Sequence, residues 1–192
     1  RELQAGPDRL SLPGCRALPM SARRNLLQWW LGESLGRSLG DGEIHDLLES
    51  QGDACPEIRG GEFALRRFQD HIYRVPRDRP PLADERPLVA GTVIMDGDYR
   101  LCLSHRGSED PAPELRLAHR RGGERLRPDV GGPSRSLKKW LQEHQVPPWE
   151  RDRLPLVFRG NGELVAVADL WCAPGLAGPE TGSNWWLDIR RE

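Results

Sequence analysis

The sequence lacks the features that mark membrane proteins, zinc proteins and small disulfide-linked domains. No run of about 18 apolar residues occurs, so no segment is predicted to cross a membrane. The four cysteines lie far apart and never form a Cys-x-x-Cys pair, which argues against a zinc site and against a disulfide framework. We therefore expect reduced, mostly buried thiols in a cytoplasmic protein.

Groups of residues that usually carry catalysis are also missing. The five histidines are scattered singly, and neither a Walker phosphate loop nor a Ser-His-Asp arrangement is visible. We therefore predict no catalytic residue, no metal site and no bound cofactor in this chain. The sequence starts at Arg1 without an initiator Met or an apolar signal core, and we expect this start to be a boundary within a longer protein.

What the sequence does have is an uneven distribution of charge. Residues 1–114 carry 15 Arg and 19 acidic residues, and residues 160–192 carry 2 Arg and 5 acidic residues. Residues 115–159, which we call the basic segment, carry 11 Lys or Arg and 5 acidic residues, a net charge of +6. Such a segment indicates a local site for a polyanion. A solvated surface with internal ion pairs is the alternative.

The order of the sequence patterns predicts an α+β protein of two domains. The first, 1–80, is a small helical domain with a β-hairpin formed by 62–68 and 71–76. The second, 81–192, has mostly antiparallel strands and one main helix. A connector at 77–87, rich in proline and charge, separates them.

Two helices are predicted in the first domain. Ser21 is the expected N-cap of a helix through 22–31. Asp41 is the expected N-cap of a second helix, which Gly52 ends.

The Trp29-Trp30 pair lies in the first of these helices. Neighbouring helical residues point about 100° apart, because one turn takes about 3.6 residues. The apolar spacing therefore predicts Trp30 in the core and Trp29 at an edge or an interface.

In the second domain, alternating apolar residues and turn signals predict several strands and one helix. The strands are expected at 87–95, 99–105, 115–119, 154–158, 163–172 and 184–190. The helix is expected at 134–145, with a buried stripe formed by Leu137, Trp140 and Leu141.

Within the basic segment, arginines flank a Gly-Gly turn. If this stretch is extended, Arg125 and Arg127 leave the same face and Leu126 points the other way, so both guanidinium groups can bind successive phosphates. The Gly122-Gly123 pair would let a backbone come close to a ligand, although a plain tight turn would need the same residues.

The helix predicted at 134–145 has an unusual order of charges. Ser134 or Ser136 is its expected N-cap. Three basic residues then crowd the positive end of the helix dipole: Arg135, Lys138 and Lys139. Each such exposed charge destabilises the helix by about 0.3–1 kcal/mol. A phosphate bound at the start of the helix would offset this destabilisation. Solvent screening without any ligand is the alternative.

Beyond this helix, Trp149 follows two prolines and precedes Arg151 and Arg153. Its ring can stack on a base or a ribose, or it can pack the turn against the sheet. Both interpretations are open from the sequence.

Several stretches closely resemble bacterial tRNA(Ile)-lysidine synthases, the TilS family. "RRGGERLRP", "SRSLKKWLQEHQVPPWERDRLPLVF" and "ELVAVADLW" resemble the family's C-terminal domain, whose fold is related to one in the β-chain of phenylalanyl-tRNA synthetase. "LPMSARRNLLQWWL" and "GGEFALRRFQDHIYRVP" resemble its central substrate-recognition domain. One departure is visible: the family pattern has Gly-Arg after "RP", where this chain has Asp129-Val130. One phosphate contact is thus expected to be missing or supplied by Arg135.

The resemblance implies a part in lysidine formation. Members of this family use ATP, with Mg, to adenylate the wobble cytidine of a minor tRNA(Ile) with a CAU anticodon, and then ligate lysine to it. Their ATP site lies in an N-terminal domain with an SGGxDS loop, which does not occur in this sequence. The chain is therefore expected to position the acceptor stem and body of the tRNA beside the family's own catalytic domain. No sequence feature chooses between a monomer and a homodimer.

The residues expected to contact tRNA come from the basic segment alone. They are Arg120, Arg121, Arg125, Arg127, Ser134, Arg135, Ser136, Lys138, Lys139, Trp149, Arg151 and Arg153. A protein-interaction or structural module is the alternative function, in which these charges would meet the catalytic domain or another acidic protein.

Overall fold

A computed structural model describes residues 4–6, 8–31, 38–50, 56–107 and 110–192. The chain divides at residues 80 and 81 into two units, which we call unit 1 and unit 2. Both units combine helices with antiparallel strands, so the predicted α+β class is confirmed. No helix in the described part of the chain is long and apolar enough to cross a membrane.

Unit 1 packs helices against an antiparallel sheet. The strands are β1 (Gln4–Gly6), β2 (Arg9–Ser11), β3 (Glu57–Arg59), β4 (Phe63–Phe68) and β5 (His71–Pro76). The helices are α1 (Leu12–Arg16), α2 (Met20–Leu31) and α3 (Asp41–Glu49). The strand order is β1-β2-β5-β4-β3, so the predicted hairpin is present as β4 and β5 inside a wider sheet.

The predicted N-caps of α2 and α3 are wrong. Helix α2 already begins at Met20, so Ser21 lies within its first turn. The N-cap of α3 is Gly40, whose N–H donates to Glu43 Oε2 at 3.0 Å, and Asp41 is the first helical residue. The helix start is therefore capped by the contact between the Gly40 N–H and the Glu43 carboxylate. The sequence had predicted a cap by the side chain of Asp41 instead.

The C-terminal end of α3 is held by two arginines from other elements. Arg16 Nε donates to Leu48 O at 2.9 Å. Arg67, which is only 7% exposed, donates from Nη1 to Leu47 O at 3.3 Å and from Nη2 to Ser50 O. These cations satisfy carbonyls that a helix end leaves without partners. The predicted terminator, Gly52, lies outside the described residues.

The two adjacent tryptophans of α2 differ in burial as predicted. Trp30 is 7% exposed and belongs to the core of unit 1 together with Leu27 and Ile44. Trp29 is 76% exposed. The helical spacing of apolar residues was therefore sufficient to separate the core residue from its exposed neighbour.

The described part of unit 2 contains two antiparallel sheets, a short strand pair, two short α-helices, and two 3-10 helices at Pro174–Leu176 and Pro179–Thr181. The strands are β6 (Arg86–Pro87), β7 (Val93–Asp96), β8 (Tyr99–His105), β9 (Leu115–Ala118), β10 (Arg125–Leu126), β11 (Arg135–Ser136), β12 (Leu156–Arg159), β13 (Leu164–Val167), β14 (Trp171–Cys172) and β15 (Trp185–Arg191). The helices are α4 (Leu137–Glu143) and α5 (Pro148–Arg151). The sheet orders are β14-β13-β12-β9-β6 and β15-β8-β7, and β10 pairs with β11.

A single core joins both sheets and α4. It includes Leu103 from β8, Leu117 from β9, Val165 from β13, and Leu137 and Leu141 from α4. Each of these five side chains is at most 1% exposed. The basic segment therefore lies on a firmly packed support.

The last two residues of the predicted connector form a strand, and Pro87 was also predicted to begin one. Arg86 and Pro87 form β6, and they pair with Leu117 and Arg116 of β9. A proline is tolerated there because β6 is the edge of its sheet, where one side of the strand needs no hydrogen-bond donor.

A buried polar cluster fixes the point at which the basic segment leaves β9. Asp96 at the end of β7 is 6% exposed. Its Oδ1 lies 3.2 Å from Arg86 Nη2, and its Oδ2 lies 2.8 Å from His119 Nε2. The cluster ties β6 and β7 to the residue that follows β9 and precedes Arg120.

Candidate nucleic-acid interface

The predicted alternation of Arg125, Leu126 and Arg127 is confirmed. Leu126 is 2% exposed and packs into the core of unit 2, whereas both arginines are exposed. Within β10 the reason is the strand geometry, in which successive side chains point to opposite faces. Arg127 follows the end of this strand and is exposed to solvent like Arg125.

Arg125 nevertheless uses its guanidinium group inside the protein. Its Nε donates to Ser134 Oγ at 2.9 Å, and its Nη2 donates to Ser134 O at 2.7 Å. Both bonds close the base of the loop 127–134, which connects β10 to β11. Arg125 and Ser134 are therefore positioned as braces of this loop.

The Gly-Gly turn binds a carboxylate of the chain itself. Gly122 and Gly123 have φ values of +101° and +85°, which favour glycine. Glu124 Oε1 accepts the N–H of Gly122 at 2.6 Å and also the N–H of Arg121. A tight turn closed by Glu124 therefore accounts for the two glycines.

Two further arginines of the predicted set are also engaged internally. Arg120 lies 2.8 Å from Asp152 Oδ1, and its side chain is 17% exposed. Arg151 Nε donates to Val146 O at 2.8 Å. Trp149 and Arg153, in and just beyond α5, are half-buried.

Helix α4 is shorter than predicted. It begins at Leu137, because Arg135 and Ser136 are paired with β10 as strand β11. Ser136 occupies the N-cap position without a side-chain hydrogen bond, and the Leu137 N–H donates to Glu124 O at 2.9 Å. A helix of seven residues whose first amide is already bound gives little support to a phosphate site at the helix start alone.

The charges of α4 are partly compensated by one carboxylate. Arg135 Nη1 lies 3.7 Å from Glu143 Oε2, and Lys139 Nζ lies 4.0 Å from Glu143 Oε1. The three side chains are 44–77% exposed, so these are weak, solvent-screened pairs. Glu143 therefore competes with any anion that approaches Arg135 and Lys139.

Five exposed basic residues remain as candidates for binding an anion, and we call them the cation set. They are Arg121, Arg127, Arg135, Lys138 and Lys139. Arg127 and Lys138 form no side-chain hydrogen bond or ion pair with any residue that the structure describes. Arg121 is 78% exposed, and its Nη2 lies 3.5 Å from Glu85 Oε2.

Two residues near the cation set were not predicted to have a role. Val130, in the loop 127–134, is 85% exposed, and Trp171 Nε1 donates to Pro128 O at 3.4 Å. Only Val130 has a weak signal in the sequence, because an apolar residue stands between Asp129 and Gly131 in an otherwise polar turn.

The described residues contain no group of metal ligands, and their cysteines are free thiols. No three His, Cys, Asp or Glu side chains among them come together as metal ligands. Cys15, Cys102 and Cys172 are free thiols, and Cys55 lies outside the described residues. Burial raises the pKa of both Cys15 and Cys172 to about 11, so these two thiols are poor nucleophiles at neutral pH.

Two family models match the chain. Residues 10–73 match the TilS substrate binding domain, and residues 115–189 match the TilS substrate C-terminal domain. The chain belongs to the TilS family. The second match contains the whole cation set.

Curated relatives agree with these models. The chain is 38% identical over 185 residues to a tRNA(Ile)-lysidine synthase of Pseudomonas aeruginosa, with 93% of this chain and 39% of the relative covered. It is 35% identical to that of Alkalilimnicola ehrlichii, with 82% and 38% covered, and 34% identical to that of Pseudomonas putida, with 95% and 42% covered. The chain thus spans about two fifths of the length of the curated relatives it matches.

A solved structure is also similar to the chain. A crystal structure of a TilS C-terminal domain matches it at 20% sequence identity with a TM-score of 0.43. The match covers 56% of this chain and 98% of the solved one.

Proposed function

We propose that this chain is the tRNA-binding part of a tRNA(Ile)-lysidine synthase. It holds the acceptor stem and body of a minor tRNA(Ile) with a CAU anticodon. An N-terminal catalytic domain of the same enzyme then ligates lysine to the wobble cytidine in the cytoplasm, using ATP with Mg. The chain itself contributes binding and orientation.

The observation that carries this proposal is the cation set on unit 2. Its five residues belong to the stretch that matches the TilS C-terminal domain model. Double-stranded RNA presents its phosphates, 2′-hydroxyls and shallow minor groove to a protein more readily than its base edges. Exposed guanidinium and ammonium groups on a rigid support are suited to that surface.

The internal contacts divide eight of the twelve predicted tRNA-binding residues into two groups. Arg120, Arg125 and Arg151 hold the segment in shape, and we propose that they act on tRNA through that shape. The cation set supplies the phosphate contacts. The start of α4 is not proposed to bind a phosphate by itself, because the Leu137 N–H already donates to Glu124 O.

The test is the salt dependence of tRNA binding by a single-residue variant. Lys138 is exposed and has no ion-pair partner among the described residues, so Lys138→Ala should remove one phosphate contact without disturbing an internal one. The slope of log affinity against log salt should fall by about 0.7–0.9. Arg190→Ala is the control for loss of an exposed cation outside the basic segment; Arg190 lies in β15 and pairs with Asp188 at 2.7 Å.

Two outcomes would contradict the proposal. One is an unchanged slope in Lys138→Ala. The other is indifference of the chain to tRNA together with tight binding to the catalytic domain added in trans, which would favour the protein-interaction alternative. Competition by an elongator methionine tRNA with the same anticodon would separately test whether identity is recognised outside the anticodon.

A further inference from the structure

The loop 127–134 is held in one conformation by contacts from three sides. Arg125 closes its base through the two hydrogen bonds to Ser134. Trp171 in β14 donates from Nε1 to Pro128 O at 3.4 Å, which attaches the loop to the five-stranded sheet. The Gly132 N–H donates to Asp129 O at 3.0 Å, which closes the four-residue turn at its tip.

The glycines at the tip are required by this conformation. Gly131 has a φ of +72°, a region that other residues rarely adopt. A Cβ on Gly132 would lie 3.0 Å from Asp129 Cβ and 3.2 Å from Asp129 O. Substitution at either glycine would therefore strain the turn, and the shape of the tip depends on both of them.

This rigid turn places Val130 in solvent. Val130 is 85% exposed, the highest exposure among the large apolar side chains that the structure describes. A turn tip normally carries Gly, Asn, Asp or Ser, which hydrogen-bond to the backbone or tolerate the geometry. The side chain of Val130 cannot form such a hydrogen bond, and the exposure of its apolar surface to water is not favourable. Its position is explained if the side chain is covered when a ligand binds.

The charges around the loop indicate which ligand covers it. Arg127 lies three residues before Val130, and Arg135, Lys138 and Lys139 follow in β11 and α4. A partner that meets these cations and Val130 together must combine negative charge with apolar surface. An RNA helix has this combination, because its shallow minor groove exposes ribose and base edges between phosphates. Proteins that bind the minor groove of DNA frequently bring apolar side chains into contact with the bases there.

We propose that Val130 is a tRNA-contact residue that packs against the ribose and base surface of the bound stem. The neighbouring cation set holds the phosphates, and Arg125 positions the loop. This inference rests on the proposed function, since it assigns a further contact within the same interface.

The test compares two identical substitutions in the full chain. Val130→Ser removes the exposed apolar side chain at the loop tip. Val89→Ser is the matched control, because Val89 is 56% exposed in unit 2 and lies between β6 and β7, outside the basic segment. Binding of each variant to a tRNA(Ile) transcript is measured across a series of salt concentrations.

Val130→Ser should weaken binding about 3- to 10-fold at every salt concentration, because the lost contact is apolar and releases no counterions. The salt slope of Val130→Ser should equal that of the unaltered chain. The affinity of Val89→Ser for tRNA should also equal that of the unaltered chain. Val130→Ile should retain the affinity. These results together would support an apolar contact.

Other results would overturn the inference. Equal affinities of Val130→Ser and Val89→Ser would place Val130 outside the interface. Tighter binding with a steeper slope in Val130→Lys would mean that the loop tip meets a phosphate. Both results require that the unaltered chain binds tRNA. If the proposed function fails, neither the unaltered chain nor any variant binds tRNA in a salt-dependent way. The two kinds of failure can therefore be distinguished.

Discussion

Removing Glu143 should strengthen tRNA binding, although most substitutions at a binding surface weaken it. Glu143 is the only acidic partner that the described residues give to Arg135 and Lys139, at 3.7 and 4.0 Å. A phosphate that binds these two cations has to displace the carboxylate and approach its negative charge. Glu143→Gln removes the competition and keeps the size of the side chain.

The magnitude follows from the exposure of the two ion pairs. Exposed pairs contribute about 0.2–1 kcal/mol each, so releasing both should gain about 0.4–2 kcal/mol of binding free energy. This corresponds to an affinity about 2- to 30-fold higher, since about 1.4 kcal/mol is tenfold. The gain should be largest at low salt, where screening of surface charges is weakest.

The assay is fluorescence anisotropy with a labelled tRNA(Ile) transcript. Glu163→Gln is the control, because Glu163 is also exposed and pairs at 3.7 Å with Arg159, which is outside the cation set. A gain in affinity cannot result from misfolding, which makes this variant more informative than a loss. Equal affinities of Glu143→Gln and the unaltered chain would refute the assignment of Arg135 and Lys139 to the interface.

Three further predictions concern stability. Asp96→Ala should lower the free energy of unfolding by about 1–3 kcal/mol in urea denaturation, because it leaves the His119 ring without its hydrogen-bond partner at 2.8 Å; a loss below about 0.5 kcal/mol would contradict this role. Trp30→Ala should lower the free energy of unfolding by about 3–5 kcal/mol, whereas Trp29→Ala should change it by less than about 0.5 kcal/mol. Equal effects of the two substitutions would show that the two rings do not differ in packing. Burial raises the pKa of the Cys15 thiol from 9.0 to about 11. Between these two pH values the thiol is ionised in the unfolded chain but still protonated in the folded chain. The free energy of unfolding should therefore fall as pH rises from about 9 to about 11. Cys15→Ala should reduce that loss in urea titrations at several pH values, and an identical alkaline profile would exclude this thiol as a cause.

The sequence predicted best those elements whose signals are local. Strands β4 and β5 follow from alternating apolar residues on either side of a two-residue turn, and both lie within one residue of the prediction. The buried stripe of α4 was also predicted, although its boundaries were not. Register within these elements depends on neighbours only a few residues apart.

The elements that were missed depend on distant partners. Strand β2 is three residues long, and its register is set by pairing with β5, as in Arg9 opposite Tyr73. A pattern of three residues cannot indicate such a pairing. The same applies to Arg86, which composition assigns to the connector and which joins β6 only through its pairing with β9.

The candidate interface was predicted as a segment but not as individual contacts. Composition identified the basic segment, since charge density is visible in the sequence. It could not show that Arg120 pairs with Asp152, 32 residues away, or that Arg121 lies near Glu85. Which cations face a ligand is decided by these long-range pairs, and the fold is needed to find them.

The central claim is that the cation set of unit 2 binds tRNA through its phosphates. The most direct measurement is the affinity of the chain for a tRNA(Ile) transcript with a CAU anticodon across a salt series, with and without alanine at all five positions. Five phosphate contacts predict a slope of about 3.5–4.5 in log affinity against log salt for the unaltered chain, and a slope near zero for the five-alanine variant. A shallow slope in the unaltered chain, or the same slope in both proteins, would contradict the account.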